Sequence, residues 1–207
     1  MKKAELYAHV ERFSRDNKLK PDQYPRNALA VSTQYGLTVH YAEFTSDRIR
    51  GVALISDNLT ILNYRLLPRQ RNYFAAHELV HHDNHGDIKT EFYCSVGNPD
   101  NRKYYEWEAN EGAAEFLVPY KSLLPTIKCN IRDIHSPDDM EVFRTNLAKQ
   151  FNVPKQTIYY RMERLKYAIY QYLGGTPLSQ LVIISHKEQE SRGISVNSLN
   201  DVYDEML

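Results

Sequence analysis

The chain has 207 residues and a formal net charge of zero; 42% of its residues are hydrophobic and 25% are charged. This profile is typical of a soluble globular protein, and the zero net charge excludes a global basic field for binding nucleic acid. No apolar run reaches the length of a membrane span, and the start MKKAELYAHVERF develops no apolar signal core, so we expect a cytoplasmic protein without membrane attachment. Cys94 and Cys129 are far apart and are expected to be free thiols.

The first third of the chain predicts two helices and three short strands. Leu6, Val10 and Phe13 recur at helical spacing, and the segment RNALAVSTQYG predicts a second helix that ends at Gly36. The segments LTVHYAEF, GVALIS and LTILN follow. Their alternating or β-branched apolar residues predict three strands.

The rest of the chain is predicted to be mainly helical. Pro68 precedes a helix, residues 83–101 form a loop with at most one short strand, and another helix runs from about residue 102 to residue 118. Ser136 is a candidate N-cap for a helix containing MEVFRTNLAKQF, and the segment PKQTIYYRMERLKYAIYQYL predicts one further helix. Residues 176–207 form a tail with one apolar run, LSQLVIIS, followed by a polar stretch that is expected to be mobile or weakly packed.

The helix after Pro68 contains YFAAHELVHHDNHG, in which His77, Glu78 and His81 form the pattern H-E-x-x-H. Positions i and i+4 lie one turn apart on the same helix face, so both imidazoles can point at one metal ion. Imidazole nitrogen is a good zinc ligand, and zinc lowers the pKa of bound water to about 7. Glu78 projects beside the metal, where a carboxylate can take a proton from that water and pass it to a leaving amine. The alternative is a pair of surface histidines on an ordinary helix.

A catalytic zinc site needs a third protein ligand, and the next predicted helix, YYEWEANEGAAEFLVPY, offers two candidates. Glu106 and Glu108 are turned about 200° apart on a helix, so only one of them can face the metal. Glu106 shares a face with Asn110, whose amide oxygen is suited to accept a hydrogen bond from a zinc-bound histidine. The residues favour Glu106 as the third ligand and leave Glu108 as the competing choice.

Other polar residues near the motif have weaker interpretations. His82 is turned about 100° from His81 and is expected to lie at the surface or at the helix end. His85 lies in the predicted loop and is one of four candidates for an oxyanion donor; the others are Tyr93, Tyr104 and Tyr105.

The segment LAKQFNVPKQTIYYRMERL has the spacing of a helix-turn-helix. Residues suited to base contacts lie at the start of its second helix: Lys155, Gln156, Thr157 and Arg161. The alternative is a helical subdomain that supports the catalytic helix or holds a protein substrate, because the apolar residues and tyrosines that follow favour packing. Direct contact with DNA is the less favoured of the two, since the basic signal is modest.

The segments RNYFAAHELVHH and EWEANEGAAEFLVP together resemble the ImmA/IrrE family of zinc metallo-endopeptidases, and the resemblance spans about residues 25 to 170. It implies an α+β fold with a zincin-like core (a small sheet and two metal-binding helices) in residues 1–130. A helical, helix-turn-helix-like subdomain in residues 131–175 and a C-terminal tail in residues 176–207 would follow. By position, His77, His81 and Glu106 would hold one Zn²⁺ and Glu78 would be the catalytic base; Mn or Fe can also occupy such a site.

The resemblance also implies a substrate. Members of the family characteristically cut helix-turn-helix repressors of phages, integrative elements or stress regulons. The expected activity is therefore hydrolysis of a peptide bond in a DNA-binding repressor. The alternative is a non-catalytic regulatory protein that binds a repressor or DNA through its C-terminal helices and uses zinc for structure or not at all.

Overall fold

The computed structural model of the chain describes residues 1–46, 48–88, 90–95 and 103–200, leaving out the side chains of residues 93–95. These residues form nine α-helices and one four-stranded sheet, which confirms the predicted α+β class. The helices are α1 (Lys3–Asp16), α2 (Ala28–Gln34), α3 (Pro68–Asn84), α4 (Lys103–Leu117), α5 (Tyr120–Asn130), α6 (Pro137–Gln150), α7 (Lys155–Arg164), α8 (Lys166–Leu173) and α9 (His186–Ser191). The strands are β1 (Thr38–Ala42), β2 (Ile49–Leu54), β3 (Leu59–Asn63) and β4 (Glu91–Ser95).

The chain divides into two compact units. One runs from Val10 to Leu117 and is called the sheet unit here. The other consists of Met1–His9 and the chain from Val118 onward, and is called the helical unit.

The sheet has the strand order β1-β3-β2-β4. β1 runs parallel to β3, whereas β2 is antiparallel to both β3 and β4. β1 and β3 lie within segments predicted as strands, β2 overlaps the predicted segment GVALIS but begins two residues before it, and β4 lies in the segment predicted as a loop with at most one strand. The pairing of β2 with β4 is irregular between Ile49 and Gly51, and a bulge of this kind bends a strand locally.

Helix α3 packs against the sheet and against both α2 and α4. Asn72 ties it to the start of α2: its amide oxygen accepts a hydrogen bond from the Ala28 N–H at 2.8 Å, and its amide nitrogen donates to the Arg26 carbonyl at 3.0 Å. Several alanines are buried on α3 and α4, and side chains this small allow two helices to approach closely. The packing therefore places the H-E-x-x-H helix beside the helix that carries both candidates for the third ligand.

Helix α5 of the helical unit lies where no helix was predicted. Pro119 directly precedes it and Pro125 lies within it. Proline is tolerated at a helix start, so Pro119 does not oppose α5, but Pro125 lies in the interior, where proline lacks an N–H and clashes with the preceding turn. The helix nevertheless forms, and it places three completely buried apolar side chains in the core: Leu123, Leu124 and Ile127.

The predicted helix-turn-helix pair is present as α6 and α7. Ser136 caps α6 as predicted, because its hydroxyl accepts a hydrogen bond from the Asp139 N–H at 3.1 Å. The long helix predicted after NVP is instead two helices, α7 and α8, which meet at Leu165. Leu165 itself is buried, so the break lies in the core of the unit.

Arg161 on α7 is completely buried. Its Nε donates a hydrogen bond to the Val118 carbonyl at 3.0 Å, and its guanidinium lies 4.8 Å from the centre of the Tyr7 ring and donates to the Tyr7 hydroxyl. Lys155, at the start of the same helix, pairs with Glu141. Arg161 is therefore not available for base contacts, which belonged to the less favoured alternative, since its charge is engaged inside the helical unit.

Arg161→Ala is expected to lower the free energy of unfolding by about 3 kcal/mol or more, measured by urea denaturation. The reason is that two buried oxygens lose charge-assisted hydrogen bonds worth roughly 1.5–3 kcal/mol each. Lys149→Ala is the control: it removes the same charge from an exposed position on α6 and should change stability by less than about 0.5 kcal/mol. Equal stability of the two variants would contradict the structural role of Arg161.

The polar stretch after LSQLVIIS contains buried residues in its described part, among them Gln189, Ser198 and Asn200. The Asn200 side chain is completely buried; it accepts a hydrogen bond from Arg144 at 3.1 Å and donates to the Tyr159 carbonyl at 2.9 Å. Helix α9 begins at a capping box of Ser185 and Glu188. These contacts are polar, which is why the apolar pattern of the sequence does not predict them.

Cys129 is a free, exposed thiol as predicted, and the Cys94 side chain lies outside the described part of the structure. None of the helices that the structure describes is long and apolar enough to cross a membrane.

Candidate metal centre

Two histidines of α3 point at the same place within the sheet unit. His77 and His81 are one helical turn apart and are 2% and 0% exposed. Their Nε2 atoms lie 3.2 Å from each other. The i, i+4 spacing therefore produces the convergence that the H-E-x-x-H pattern predicts.

Glu106 on α4 completes a cluster with the two histidines. Its Oε2 lies 3.4 Å from His77 Nε2, and its Oε1 lies 3.6 Å from His81 Nε2. Ligands held about 2.0–2.1 Å from a tetrahedral zinc ion are separated from one another by about 3.3–3.4 Å. The three separations thus fit a single ion of this size bound between the three side chains.

The donor set and its surroundings also fit a catalytic metal. Two imidazole nitrogens and one carboxylate oxygen are ligands that Zn²⁺ takes with a fourth position left open. The Glu106 side chain is 25% exposed, whereas both histidines are buried, so Glu106 is the most exposed member of the cluster.

Burial and neighbouring charges act differently on the two histidines. Burial lowers the pKa of His81 well below its ordinary value, and the nearby His77, His85 and His82 add to this effect. Burial acts in the same direction on His77, but the hydrogen bond with Glu106 and the charge of Glu78 raise the pKa of His77 above its ordinary value. His81 is therefore held as a neutral imidazole, the form that binds a metal.

Glu78 is completely buried, and its carboxylate lies against the backbone of β2 at Gly51. A Cβ atom at position 51 would lie 2.3 Å from Glu78 Oε1 and 3.0 Å from its Cδ. Gly51 also stands at the bulge between β2 and β4. A glycine inside a strand often marks a close approach of this kind, and here it leaves the space that the carboxylate occupies.

Gly51→Ala is expected to lower by about a hundredfold the kcat of a reaction in which the Glu78 carboxylate takes part, while metal content stays at the wild-type level. The new methyl group displaces the flexible Glu78 carboxylate, and a shift of about 1 Å in a reacting group costs a factor of this size. Gly86→Ala is the matched control, because its Cβ would lie 3.5 Å from the nearest atom, an ordinary contact. An unchanged kcat in Gly51→Ala, measured from initial rates, would contradict this role.

His82 is buried rather than exposed at the helix end. Its Nε2 lies 3.2 Å from Thr60 Oγ1 on β3. It points away from the metal cluster, as its position on the helix predicts. The expected surface location is wrong because the sheet covers that side of α3.

His85 is also buried, and both of its ring nitrogens are engaged. Nδ1 lies 2.9 Å from His81 Nδ1, and Nε2 lies 2.9 Å from Glu108 Oε2. Burial tends to raise the pKa of Glu108, but the hydrogen bond with His85 brings it below the ordinary value. His85 has no donor left for an oxyanion, and Glu108 joins His85 rather than the His-His-Glu cluster.

Asn110 lies beside Glu106. Its Oδ1 accepts a hydrogen bond from the Tyr73 hydroxyl at 3.1 Å, and its Nδ2 donates to the Glu106 carbonyl at 2.7 Å. A side-chain interaction with Asn110 also raises the pKa of His77, which is the kind of contact predicted between this amide and a ligand histidine.

The three tyrosine candidates for the oxyanion donor, Tyr93, Tyr104 and Tyr105, have different surroundings. The Tyr105 ring packs against His85, with centres 5.1 Å apart. Tyr104 is half exposed and stacks on Trp107. The Tyr93 side chain lies outside the described residues.

Gly51, His85 and Glu108 take part in this arrangement in ways that the motifs do not predict. For Gly51 a local signal exists, since a glycine within a run of strand-forming residues suggests a close approach. The contact of His85 with His81 has a local signal in their i, i+4 spacing. The pairing of His85 with Glu108 has none, because these two residues are 23 positions apart and belong to different segments.

Comparison with known proteins agrees with this architecture. The family model for the IrrE N-terminal-like domain, peptidase M78, matches residues 33–163. No curated protein matches the chain. Among solved structures, a Mycobacterium tuberculosis transcriptional regulator superposes with a TM-score of 0.55 at 16% identity, over 79% of this chain and 47% of that one. The chain thus spans about half the length of that protein, and the likeness shows a shared fold. Because the family model covers well over half of the sequence, the chain belongs to the IrrE N-terminal-like family of M78 peptidases.

Proposed function

We propose that the protein is a zinc-dependent endopeptidase in which His77, His81 and Glu106 hold one Zn²⁺ and Glu78 is the catalytic base. The observation that carries the proposal is the convergence of two imidazole nitrogens and a carboxylate at 3.2–3.6 Å from one another. Membership of a peptidase family supports the reaction class. Mn or Fe is the alternative metal for the same ligands.

Hydrolysis adds a water oxygen to the carbonyl carbon of the peptide bond and breaks its C–N bond. A bound Zn²⁺ would supply Lewis-acid activation of the water and of the scissile carbonyl. Glu78 takes a proton from the attacking water and delivers it to the leaving nitrogen. Gly51 keeps the space in which the Glu78 carboxylate lies, and β2 fixes that position.

The proposed substrate is a helix-turn-helix repressor, cut inside the cytoplasm. This choice rests on the resemblance of the two motifs to those of the ImmA/IrrE family. Repressors of phages and mobile elements are the characteristic targets of that family. The buried position of Arg161 weighs against the alternative of a non-catalytic regulator that reads DNA through α7, since that side chain was a candidate for base contacts.

Co-expression tests the substrate. Repressors encoded near this chain are each expressed with the wild type and with Glu78→Gln, and fragments are identified by mass spectrometry. One repressor is expected to be cut at a single site by the wild type and to stay whole with Glu78→Gln. Identical fragments with both proteins would contradict the proposed function. A salt-dependent DNA-binding measurement on the same samples tests the alternative.

A further inference from the structure

Three buried side chains form a continuous hydrogen-bonded line that ends at the metal cluster. Glu108 Oε2 lies 2.9 Å from His85 Nε2, and His85 Nδ1 lies 2.9 Å from His81 Nδ1. The three residues are 3%, 1% and 0% exposed. The other nitrogen of His81, Nε2, is the atom that faces His77 and Glu106.

The direction of each hydrogen bond follows from the chemistry of its ends. An ionised carboxylate only accepts, so His85 must carry a hydrogen on Nε2 and donate it to Glu108. The Nδ1 of a neutral His85 is then an acceptor, and His81 must carry its hydrogen on Nδ1 to fill that bond. His81 Nε2 is left with a lone pair directed at the cluster.

Aromatic rings close this line off from water. The Phe92 ring stacks on His81 with centres 4.3 Å apart and planes 18° apart, and it lies 5.4 Å from His85. Tyr105 covers another side of His85 at 5.1 Å. Solvent therefore cannot replace either hydrogen bond, and the rings are held in the orientation that the bonds require.

We infer that Glu108 and His85 are positioning residues that hold His81 as the tautomer whose Nε2 can bind the metal. This inference rests on the proposed function, because it takes His81 as a ligand. It gives Glu108 a role distinct from the ligand role of Glu106 on the same helix. Partners of this kind behind a ligand histidine commonly change metal affinity about 10–100-fold.

The first test reads the tautomer directly. Protein labelled with ¹⁵N in its histidine rings is freed of metal with a chelator, and two-bond ¹H–¹⁵N spectra are recorded at about pH 8, where an unperturbed imidazole is neutral. The wild type is expected to show His81 with its hydrogen on Nδ1. Glu108→Gln should populate the His81 tautomer with the hydrogen on Nε2. The reason is that an amide can donate to His85 and so reverse the direction of both hydrogen bonds. A wild-type His81 with its hydrogen on Nε2 would overturn the inference.

The second test measures Zn²⁺ affinity by competition with a chromophoric chelator. Glu108→Gln and His85→Phe are each expected to bind Zn²⁺ about 10–100-fold more weakly than the wild type. His85→Phe keeps an aromatic ring against Phe92 and Tyr105, so a loss of affinity reports the hydrogen bonds rather than the packing. His82→Phe is the control, since it also replaces a buried histidine of α3 but one that bonds to Thr60.

The outcomes separate the inference from the proposed function. Wild-type affinity in Glu108→Gln and His85→Phe, within about twofold, would overturn the positioning role while leaving the metal site intact. A wild type that binds no Zn²⁺ would contradict the proposed metal site, and the tautomer spectra would still decide the state of His81. An equal loss of affinity in His82→Phe would overturn the inference as well, because the effect would then come from general disturbance of α3.

Discussion

Glu78→Gln is expected to lower kcat for peptide hydrolysis by at least about a hundredfold, and by up to about ten-thousandfold, with the bound metal retained. The size follows from the usual contribution of a positioned general base. Glutamine has nearly the same shape as glutamate but accepts no proton from the attacking water. Glu78 is not a member of the His-His-Glu cluster, so its replacement removes the base without removing a ligand.

The measurement pairs initial rates on the cleaved substrate with the metal content of the same samples. Glu78→Asp is a useful companion, because it keeps a carboxylate but shortens the side chain that now reaches Gly51. It should fall between the wild type and Glu78→Gln. A Glu78→Gln variant with undiminished kcat would rule out the proposed base, and one that loses its metal would place Glu78 among the ligands.

Glu106→Gln and His77→Ala are each expected to weaken Zn²⁺ binding by more than about a hundredfold, and activity should be lost with the metal. Residues that only support a ligand already change affinity about 10–100-fold, so removal of a ligand itself must cost more. An amide oxygen carries no charge to offset that of the ion. The measurement is metal stoichiometry after dialysis, together with the dissociation constant from chelator competition.

Carboxylates of α4 provide the internal comparison. Glu115→Gln alters a buried carboxylate about 13.5 Å farther along the same helix and should leave the affinity unchanged. Glu108→Gln should show the smaller loss expected of a residue that acts through His85. A larger loss in Glu108→Gln than in Glu106→Gln would assign the third ligand to Glu108 instead.

Local sequence patterns predicted most of the secondary structure, because helix and strand signals act over short stretches of chain. The strands β1 to β3 and helix α1 have periodic or β-branched apolar residues, and helices α2 and α3 have clear end signals; signals of both kinds act within a few residues. Helix α5 departs from its local signals, because the burial of Leu123, Leu124 and Ile127 outweighs the proline in its interior. The segment before residue 200 is held by polar contacts such as that of Asn200 with Arg144. Such contacts produce no apolar periodicity in the sequence, so the packing of this segment could not be predicted from it.

The part of the candidate site that lies within one helix follows from residue spacing alone. A helical H-E-x-x-H places His77 and His81 one turn apart on one face and places Glu78 beside them, because the pitch of the helix requires it. Helix geometry also shows that Glu106 and Glu108 face different ways, but it does not determine which one meets the histidines.

Which of the two glutamates meets the histidines depends on how the helices pack. The packing of α4 on α3 brings Glu106 to His77 and His81 and brings Glu108 to His85. The packing of α3 on the sheet places the Glu78 carboxylate against Gly51 and directs the His82 side chain toward Thr60. Each of these contacts joins residues at least 22 positions apart, so its geometry is set by how whole elements pack and not by the spacing of residues along any one of them.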